Sequence, residues 1–305
     1  MRVLFIFLDG IGLGENNPET NPFARAKMPN LNKLLDGRSL LKDAAPFYGE
    51  HASLLAVDPA VGVSGLPQSA TGQAILLTGI NIPAELGYHY GPKPNPEVAA
   101  YLKEATLFSR FVKEGRRVAL LNAYPPRYFD GIDSGKRLYS SIPLGVTNAG
   151  LSLFKHDDLF AGRALSADFT GDGWRLMLGF PNSPVMEPHQ AGSKLGLLAK
   201  EYDFSLFEYW ASDYAGHKQQ MGNAIQLMET FDGVLGGLTE EWDDDGLILV
   251  TSDHGNMEDL STRKHTDANV PALVIGNKIA RDEFTRDMKD LTHIAPAIWR
   301  TVMSK

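Results

Sequence analysis

The sequence predicts an α/β fold, with a doubly wound, mostly parallel sheet, helices on both faces and a small inserted cap domain. Several short apolar runs lack the alternation of strands that face water on one side. A segment with helical periodicity separates two of these runs, and strand, helix, strand is the order typical of α/β proteins. The length of 305 residues suits one large domain or a core with a smaller insert.

Five runs rich in Val, Ile, Leu and Phe are the strand candidates. Their continuous apolar character indicates burial on both faces, as in a parallel sheet covered by helices. They are residues 3–8 (VLFIFL), 117–124 (RVALLNAY), 204–211 (FSLFEYWA), 247–252 (LILVTS) and 272–276 (ALVIG).

Helices are predicted mainly in the second half of the chain. Apolar residues recur at spacings of three and four between the third and fourth strand candidates, which would place one apolar face on the sheet. They are Met221, Ile225, Met228, Phe231, Leu235 and Leu238. Two further helices are expected from about Pro188 to Glu201 and from about Leu291 to Met303.

The middle of the chain has a different texture, with frequent Pro, Gly and aromatic residues and scattered Arg and Lys. We interpret residues 82–187 as an inserted cap or substrate domain, and residues 1–81 and 188–305 as the catalytic core. The run at 117–124 fits either part.

Composition excludes several functional classes. The 29 basic and 37 acidic residues give a net charge of −8, which argues against nucleic-acid binding. The absence of cysteine excludes disulfides, thiolate nucleophiles and thiolate metal sites, so any metal must use oxygen and imidazole ligands. No apolar window is long enough for a membrane span and no cleavage site follows the first strand, so we expect a cytoplasmic protein with no membrane partner.

Carboxylates follow three of the strand candidates. Asp9 comes directly after residues 3–8, Asp213 lies two residues beyond 204–211, and Asp253 follows 247–252. In an open α/β sheet the carboxyl ends of the strands form the crevice where ligands bind. The three carboxylates are therefore expected to converge.

Histidines accompany these carboxylates. His217 follows Asp213 by four residues, so a helix starting there would place both on one face. His254 follows Asp253 directly, and His265 lies in the loop before residues 272–276. A single Asp after a strand is more often a turn former or a helix cap, and a single His is more often structural. Six such residues together favour a metal site, and the mixed ligands suit Mn²⁺ or Zn²⁺ better than Ca²⁺ or Mg²⁺.

The segment GLPQSATGQAILLTG supplies a candidate nucleophile. Ser69 precedes a helix expected to begin around Thr71, and a helix N-terminus favours a phosphate group. Thr71 is the second choice as nucleophile. The alternative is that Ser69 or Thr71 simply caps the helix.

Together these segments resemble the alkaline phosphatase superfamily, in particular the branch of cofactor-independent phosphoglycerate mutase and phosphopentomutase. LFIFLDGIG is similar to that branch's opening, PQSATGQ to its nucleophile segment, SDYAGH and TSDHGN to two metal motifs, and KHTDANVPALVIG to its last motif. The resemblance covers roughly residues 1–81 and 188–305. It departs at Gln73, where the mutases typically carry a histidine, and in a much shorter middle segment.

The resemblance implies an alkaline-phosphatase-like core with two divalent metal ions. Asp213, His217 and His265 would hold one ion, and Asp9, Asp253, His254 and the Ser69 hydroxyl would hold the other. Ser69 would be the nucleophile that becomes phosphorylated.

The expected activity is two-metal phosphoryl transfer on a small phosphorylated metabolite, by a phosphohydrolase or a phosphomutase. A phosphodiesterase or nucleotide pyrophosphatase of the same superfamily is the alternative, and a non-catalytic metal-binding protein is a further one. Guanidinium groups of the middle segment are the candidates for substrate binding. They belong to Arg127, Arg137, Arg163 and Arg175.

Overall fold

The computed structural model of the protein describes residues 1–304, and it is built around one mixed sheet of seven strands. Nine strands are present in these residues: β1 (Arg2–Leu8), β2 (Phe47–Tyr48), β3 (Ala52–Val57), β4 (Val118–Leu120), β5 (Ala123–Tyr124), β6 (Phe154–Lys155), β7 (Phe204–Tyr209), β8 (Gly246–Thr251) and β9 (Val270–Gly276). The strand order of the large sheet is β2-β3-β9-β8-β1-β7-β4, and β5 pairs with β6 in a separate two-stranded sheet.

Helices account for most of the remaining chain. The first seven are α1 (Pro29–Leu34), α2 (Ser69–Thr78), α3 (Ile82–Leu86), α4 (Pro96–Glu104), α5 (Leu107–Lys113), α6 (Pro126–Asp133) and α7 (Ser141–Asn148). The others are α8 (His156–Phe160), α9 (Asp172–Leu176), α10 (Pro188–Ala199), α11 (Ala211–Lys218), α12 (Met221–Glu241), α13 (Lys278–Phe284) and α14 (Ile294–Met303). Short 3₁₀ turns lie at Pro22–Ala24, Lys42–Ala44 and Leu291–His293.

The strands that matter for the site are parallel. β1 pairs in parallel with β7 on one side and β8 on the other, and β4 adds to β7 in the same direction. The remaining pairings, β8 with β9, β9 with β3 and β3 with β2, are antiparallel. The predicted α/β class is confirmed, with the parallel strands gathered around β1.

The side chains of β1 show why its sequence is continuously apolar. Leu4, Ile6 and Leu8 point into a core shared with α1, α10 and α12, whereas Val3, Phe5 and Phe7 point into a core shared with α2, α5 and α14. A strand covered by helices on both faces has no polar side. The doubly wound arrangement follows from these two cores.

Part of the middle segment, residues 82–187, packs with the main sheet. β4 joins the main sheet, and apolar residues of α4, α5 and α7 are buried in the same core as α2. The run at 117–124 breaks after Leu120, because the Asn122 side chain bonds both the N–H and the C=O of Glu208 in place of a strand pairing. A small separate core remains around Ala123, Leu159, Ala164 and Trp174, beside the β5–β6 sheet.

Candidate metal centre and nucleophile

The three carboxylates meet at one edge of the sheet. β7, β1 and β8 are adjacent parallel strands, so their carboxyl ends lie side by side. Asp9 follows β1, Asp253 lies just after β8, and Asp213 sits in the first turn of α11, which follows β7. The convergence expected from the strand ends is therefore present in the structure.

One group of side chains surrounds the Nε2 atom of His254. This nitrogen lies 3.0 Å from Ser69 Oγ, 3.5 Å from Asp9 Oδ1 and 3.5 Å from Asp253 Oδ2. All four residues are buried. They are the four residues assigned to one ion from the resemblance, and the structure brings them together.

A second group lies beside it and is more open to solvent. His217 Nε2 is 3.3 Å from Asp213 Oδ2, and His265 Nε2 is 3.3 Å from His217 Nε2 and 3.8 Å from Asp213 Oδ1. The rings of His254 and His265 stack with centroids 3.7 Å apart. Oxygen and nitrogen atoms of Asp9, Asp213 and His254 also lie within 4.8 Å of one another, so the two groups form one cluster.

Backbone carbonyl groups orient the three imidazoles. The Nδ1 atom faces the carbonyl of Arg263 at 2.6 Å in His217, that of Pro67 at 2.8 Å in His265, and that of Gly255 at 3.3 Å in His254. A proton on Nδ1 that donates to a carbonyl leaves the lone pair of Nε2 free, and all three Nε2 atoms face the cluster. Metal-binding histidines are commonly held in this way.

The electrostatics of the cluster suit cations. Burial raises the pKa of Asp9 well above its ordinary value, and the charges of Asp253 and Asp213 raise it further. Burial and the Asp213 charge likewise raise the pKa of Asp253. Burial lowers the pKa of His254 and of His265, so these imidazoles are neutral at pH 7 and available as ligands.

Two carboxylate oxygens test whether metal ions fit. Asp9 Oδ1 and Asp253 Oδ2 are buried, and neither has a hydrogen-bond partner among residues 1–304. Buried polar atoms are normally satisfied, and buried carboxylates need a compensating charge. The orphaned oxygens and the neutral imidazoles therefore form a donor set that matches divalent metal ions with mixed oxygen and nitrogen ligands.

The nucleophile candidate is the first residue of α2. Ser69 Oγ faces His254, whereas Thr71 Oγ1 donates to the carbonyls of Gln68 and Tyr90 at 3.1 and 3.3 Å. The geometry thus favours Ser69 over Thr71. α2 lies very close to the cluster, because a Cβ placed on Gly72 would be 2.8 Å from Asp253 Cβ.

Supporting residues complete the cluster. Asn256 Nδ2 donates to Asp213 Oδ1 at 2.6 Å, and Glu258 Oε2 accepts from the N–H groups of Gly12 and Asn256. Gln73 Nε2 reaches Asp9 Oδ2 at 3.4 Å, at the position where the sequence departs from the mutases. Asn256 was not among the predicted site residues, although it is the last residue of the TSDHGN motif.

Glu208 is a second residue that the sequence analysis did not select. It is buried near the end of β7, where Tyr124 donates a hydrogen bond to its Oε2 at 3.2 Å. Burial raises its pKa from 4.5 to about 7, and its charge in turn helps to raise the pKa of Asp9. A carboxylate inside the apolar run FSLFEYWA was the available signal.

The arginines proposed for substrate binding lie in different surroundings. Arg163 pairs with Asp158 at 2.8 Å, Arg175 donates to the carbonyl of Ser183 at 2.7 Å, and Arg127 is exposed on α6. Arg137 stacks over the ring of Tyr128, with 5.1 Å from its guanidinium carbon to the ring centroid. Arg163 and Arg175 are thus held by neighbouring groups of the middle segment.

Among residues 1–304 no helix has the length and apolar character needed to cross a membrane.

Comparison with known sequences finds a family model that is similar to the C-terminal part of the chain. The family model described as the Metalloenzyme superfamily matches residues 186–305. A 2,3-bisphosphoglycerate-independent phosphoglycerate mutase of Thiobacillus denitrificans is 28% identical over 194 residues, covering 56% of this chain and 36% of the relative. A phosphopentomutase of Hahella chejuensis is 25% identical over 130 residues, covering 42% and 30%. The chain thus spans about a third of the length of these relatives.

Solved structures share the fold over nearly the whole chain. The PH0037 protein of Pyrococcus horikoshii matches with a TM-score of 0.56 at 17% identity, covering 99% of this chain and 96% of that one. Alkaline phosphatase from the Antarctic bacterium TAB5 gives 0.53 at 14% identity, covering 99% and 98%. Phosphoglycerate mutase of Leishmania mexicana gives 0.52 at 12% identity, covering 99% and 95%.

The carboxylate–imidazole cluster at the edge of the α/β sheet, together with the match of residues 186–305 to the Metalloenzyme superfamily model, implies divalent metal ions. The fold is the one that the solved alkaline phosphatase and phosphoglycerate mutase structures share.

Proposed function

We propose that the protein transfers phosphoryl groups through Ser69, and that its reaction is the hydrolysis of a small phosphate monoester. The observation that carries this proposal is the 3.0 Å approach of Ser69 Oγ to His254 Nε2, inside a cluster with unpartnered carboxylate oxygens. Two features support Ser69 as nucleophile over a role as helix cap: it follows the N-cap residue Gln68, and it faces the candidate metal-binding groups.

The residues divide between two ions in the proposal. Asp213, His217 and His265 would hold one, and Asp9, Asp253, His254 and Ser69 would hold the other, with Mn²⁺ or Zn²⁺ as the ions that suit these ligands. When bound, such ions supply charge neutralisation for phosphoryl oxygens and lower the pKa of a coordinated hydroxyl.

The chain's own groups position the reaction. The bond from Ser69 Oγ to phosphorus forms as the bond to the ester oxygen breaks, and the alcohol leaves. The N-terminal end of α2 adds positive potential beside the transferred group. Because phosphoryl transfer passes through a loose transition state, positioning and charge stabilisation supply most of the rate.

Solvent access supports hydrolysis over mutase chemistry. The side chain of His217 is 40% exposed and that of Asp213 is 19% exposed, so water can reach this side of the cluster. Water would attack the phosphoserine, release phosphate and restore Ser69. A mutase needs instead to exclude water while the intermediate waits for a second hydroxyl.

The test is turnover of a panel of phosphate monoesters and diesters with Mn²⁺ or Zn²⁺ present. Ser69→Ala is expected to lower kcat/KM by at least about 1000-fold, because the nucleophile is lost. Thr71→Val is the matched control and should retain most activity, since Thr71 Oγ1 bonds only backbone groups in the structure described here.

The possible outcomes separate the candidate functions. Release of phosphate from monoesters, with metal bound to the wild-type protein, supports the proposal. Diester turnover that exceeds monoester turnover would indicate a phosphodiesterase. Activity that is unchanged in Ser69→Ala would show that the mechanism is wrong. Trace metal content, together with no turnover of any ester, would indicate a non-catalytic relative.

A further inference from the structure

Two loops contact the first turn of α2, and each of them carries a basic residue. In the first loop, residues 88–93, the carbonyl of Tyr90 accepts a hydrogen bond from Thr71 N at 3.0 Å. Gly91 of this loop lies against the nucleophile's own backbone, since a Cβ placed on it would be 3.2 Å from Ser69 N. The loop continues to Lys93.

The second loop, residues 136–140, leads into α7, whose first residue contacts the same turn. Ser141 Oγ donates to the carbonyl of Ala70 at 2.9 Å. The loops are also tied to each other, because Lys93 Nζ donates to the carbonyl of Leu138 at 2.7 Å. Arg137 directly precedes Leu138, and its charge acts on Lys93, so the two cations lie near each other in the loops that contact α2.

The two cations lack the counter-ions that such a pair normally has. Within residues 1–304, neither Lys93 nor Arg137 forms an ion pair. Burial lowers the pKa of Lys93, and the nearby positive charge of Arg137 lowers it further. Like charges held close together repel, and a bound anion would remove this repulsion.

Arg137 is exposed, and an aromatic ring supports its side chain from one side. Its guanidinium carbon lies 5.1 Å from the centroid of the Tyr128 ring, which packs against Tyr124 with ring centroids 4.5 Å apart. Tyr124 in turn donates to Glu208 beside the metal cluster. An arginine stacked on an aromatic ring keeps its planar donors available for a carboxylate or phosphate.

We propose that Lys93 and Arg137 form an anion subsite for a second negatively charged group of the substrate, separate from the phosphoryl group that Ser69 attacks. The proposal rests on the proposed function and narrows its substrate class to small phosphate monoesters that carry a carboxylate or a second phosphate. In this arrangement the metal cluster and the N-terminus of α2 bind the phosphoryl group that reacts. The two loops bind the negatively charged group at the other end of the substrate.

Binding of matched phosphonates to the metal-loaded protein tests this proposal without turnover. Propylphosphonate and (2-carboxyethyl)phosphonate differ only in a terminal carboxylate, and (4-carboxybutyl)phosphonate extends its reach. Titration calorimetry should show one of the carboxylated ligands binding about tenfold more tightly than propylphosphonate, as expected for charge-assisted hydrogen bonds. Lys93→Gln and Arg137→Gln should each remove most of this ratio, and Arg137→Lys should restore part of it.

Lys136→Gln is the matched control, since Lys136 adjoins Arg137 in the same loop and is exposed. It should keep the ratio. An equal loss in Lys136→Gln would indicate a diffuse positive field and overturn the subsite, as would equal affinity for the plain and carboxylated ligands in the wild-type protein. Thermal melts of each variant identify any that fail to fold. Tight, carboxylate-dependent binding without any phosphatase activity would reject the proposed function but support the subsite.

Discussion

Asp253 combines complete burial with an unpartnered oxygen, and this makes it the most informative residue of the cluster. Its Oδ2 atom has no hydrogen-bond partner within the described residues, and Asp9 is a close negative neighbour. We expect Asp253→Asn to lower metal content and to reduce turnover by at least about 100-fold, because it removes a charged ligand. Metal analysis and steady-state kinetics are the measurements.

The same substitution should have the opposite effect on the metal-free protein. Without cations, Asp253 adds a buried charge beside Asp213 and Asp9, so its removal should raise the melting temperature under chelation. His189→Ala is a suitable control, because His189 pairs with Glu240 on the surface, away from the cluster. Normal turnover with full metal content in Asp253→Asn would contradict its assignment as a ligand.

The raised pKa of Glu208 predicts that the stability of the protein depends on pH when a chelator has removed the metal ions. Its pKa is raised from 4.5 to about 7, so the folded state binds its proton more tightly than the unfolded state does. The stability that this proton contributes is fully present below pH 4.5 and is lost as pH rises through about 7.

The variant Glu208→Gln, which cannot ionise, should therefore gain stability relative to wild type at pH 8 compared with pH 5, by up to about 3 kcal/mol. Urea unfolding at the two pH values, with a chelator present, measures the difference. A wild-type-to-variant difference that does not change with pH would show that Glu208 is not protonated in the folded protein.

At the scale of elements, the closest helix contact lies between α10 and α12, on the face of the sheet away from α2. A Cβ placed on Gly192 of α10 would fall on the carbonyl oxygen of Val234, and one on Gly237 of α12 would fall on that of His189. The backbones approach so closely that no side chain fits between them. Gly192→Ala should therefore destabilise the protein by about 1–3 kcal/mol.

Gly222→Ala gives the matched comparison, because a Cβ on this glycine of α12 meets nothing within 4 Å. That change should be neutral or stabilising, by up to about 1 kcal/mol, since alanine favours the helix more than glycine does. Urea unfolding midpoints of the two variants, compared with wild type, measure the two effects. Equal changes in stability would mean that helix propensity, and not the contact between α10 and α12, determines the effect of Gly192→Ala.

Element prediction succeeded where a local pattern sets the structure. The spacing of Met228, Phe231 and Leu235 predicted α12, whose described bounds are Met221–Glu241. It failed at 117–124, because β4 ends where the Asn122 side chain takes over the hydrogen bonds of Glu208. Such a competition depends on a strand more than eighty residues later, and no local window contains it.

At the scale of the whole molecule, the proposed metal ligands join distant parts of the chain. They come from the end of β1, the start of α2, the first helix after β7, the end of β8 and the loop before β9. Ions that bind only the folded state should therefore stabilise the entire protein, by about 2.7 kcal/mol at a hundredfold excess over Kd. Melting curves with Mn²⁺, Zn²⁺ or a chelator test this expectation.

The His217→Ala and His265→Ala variants should lose part of this stabilisation, and His189→Ala should keep it. Equal melting temperatures in metal and in chelator would count against binding at these residues. These candidate ligands could be selected from the sequence because strand ends and motifs similar to those of the family mark them. Lys93 and Glu208 were not, since their roles depend on contacts with Leu138 and Tyr124 that only folding creates.

The position of β1 inside the sheet has a consequence for synthesis on the ribosome. Val3 pairs with Phe204 on one side and Leu247 on the other, so both neighbours of this strand are translated long after it. At a translation rate of about 5–20 residues per second, roughly 10–50 seconds pass before both partner strands of the apolar run VLFIFL have been synthesised. During that time the nascent chain exposes a segment that favours aggregation, so it is an apt ligand for chaperones that bind extended apolar peptides.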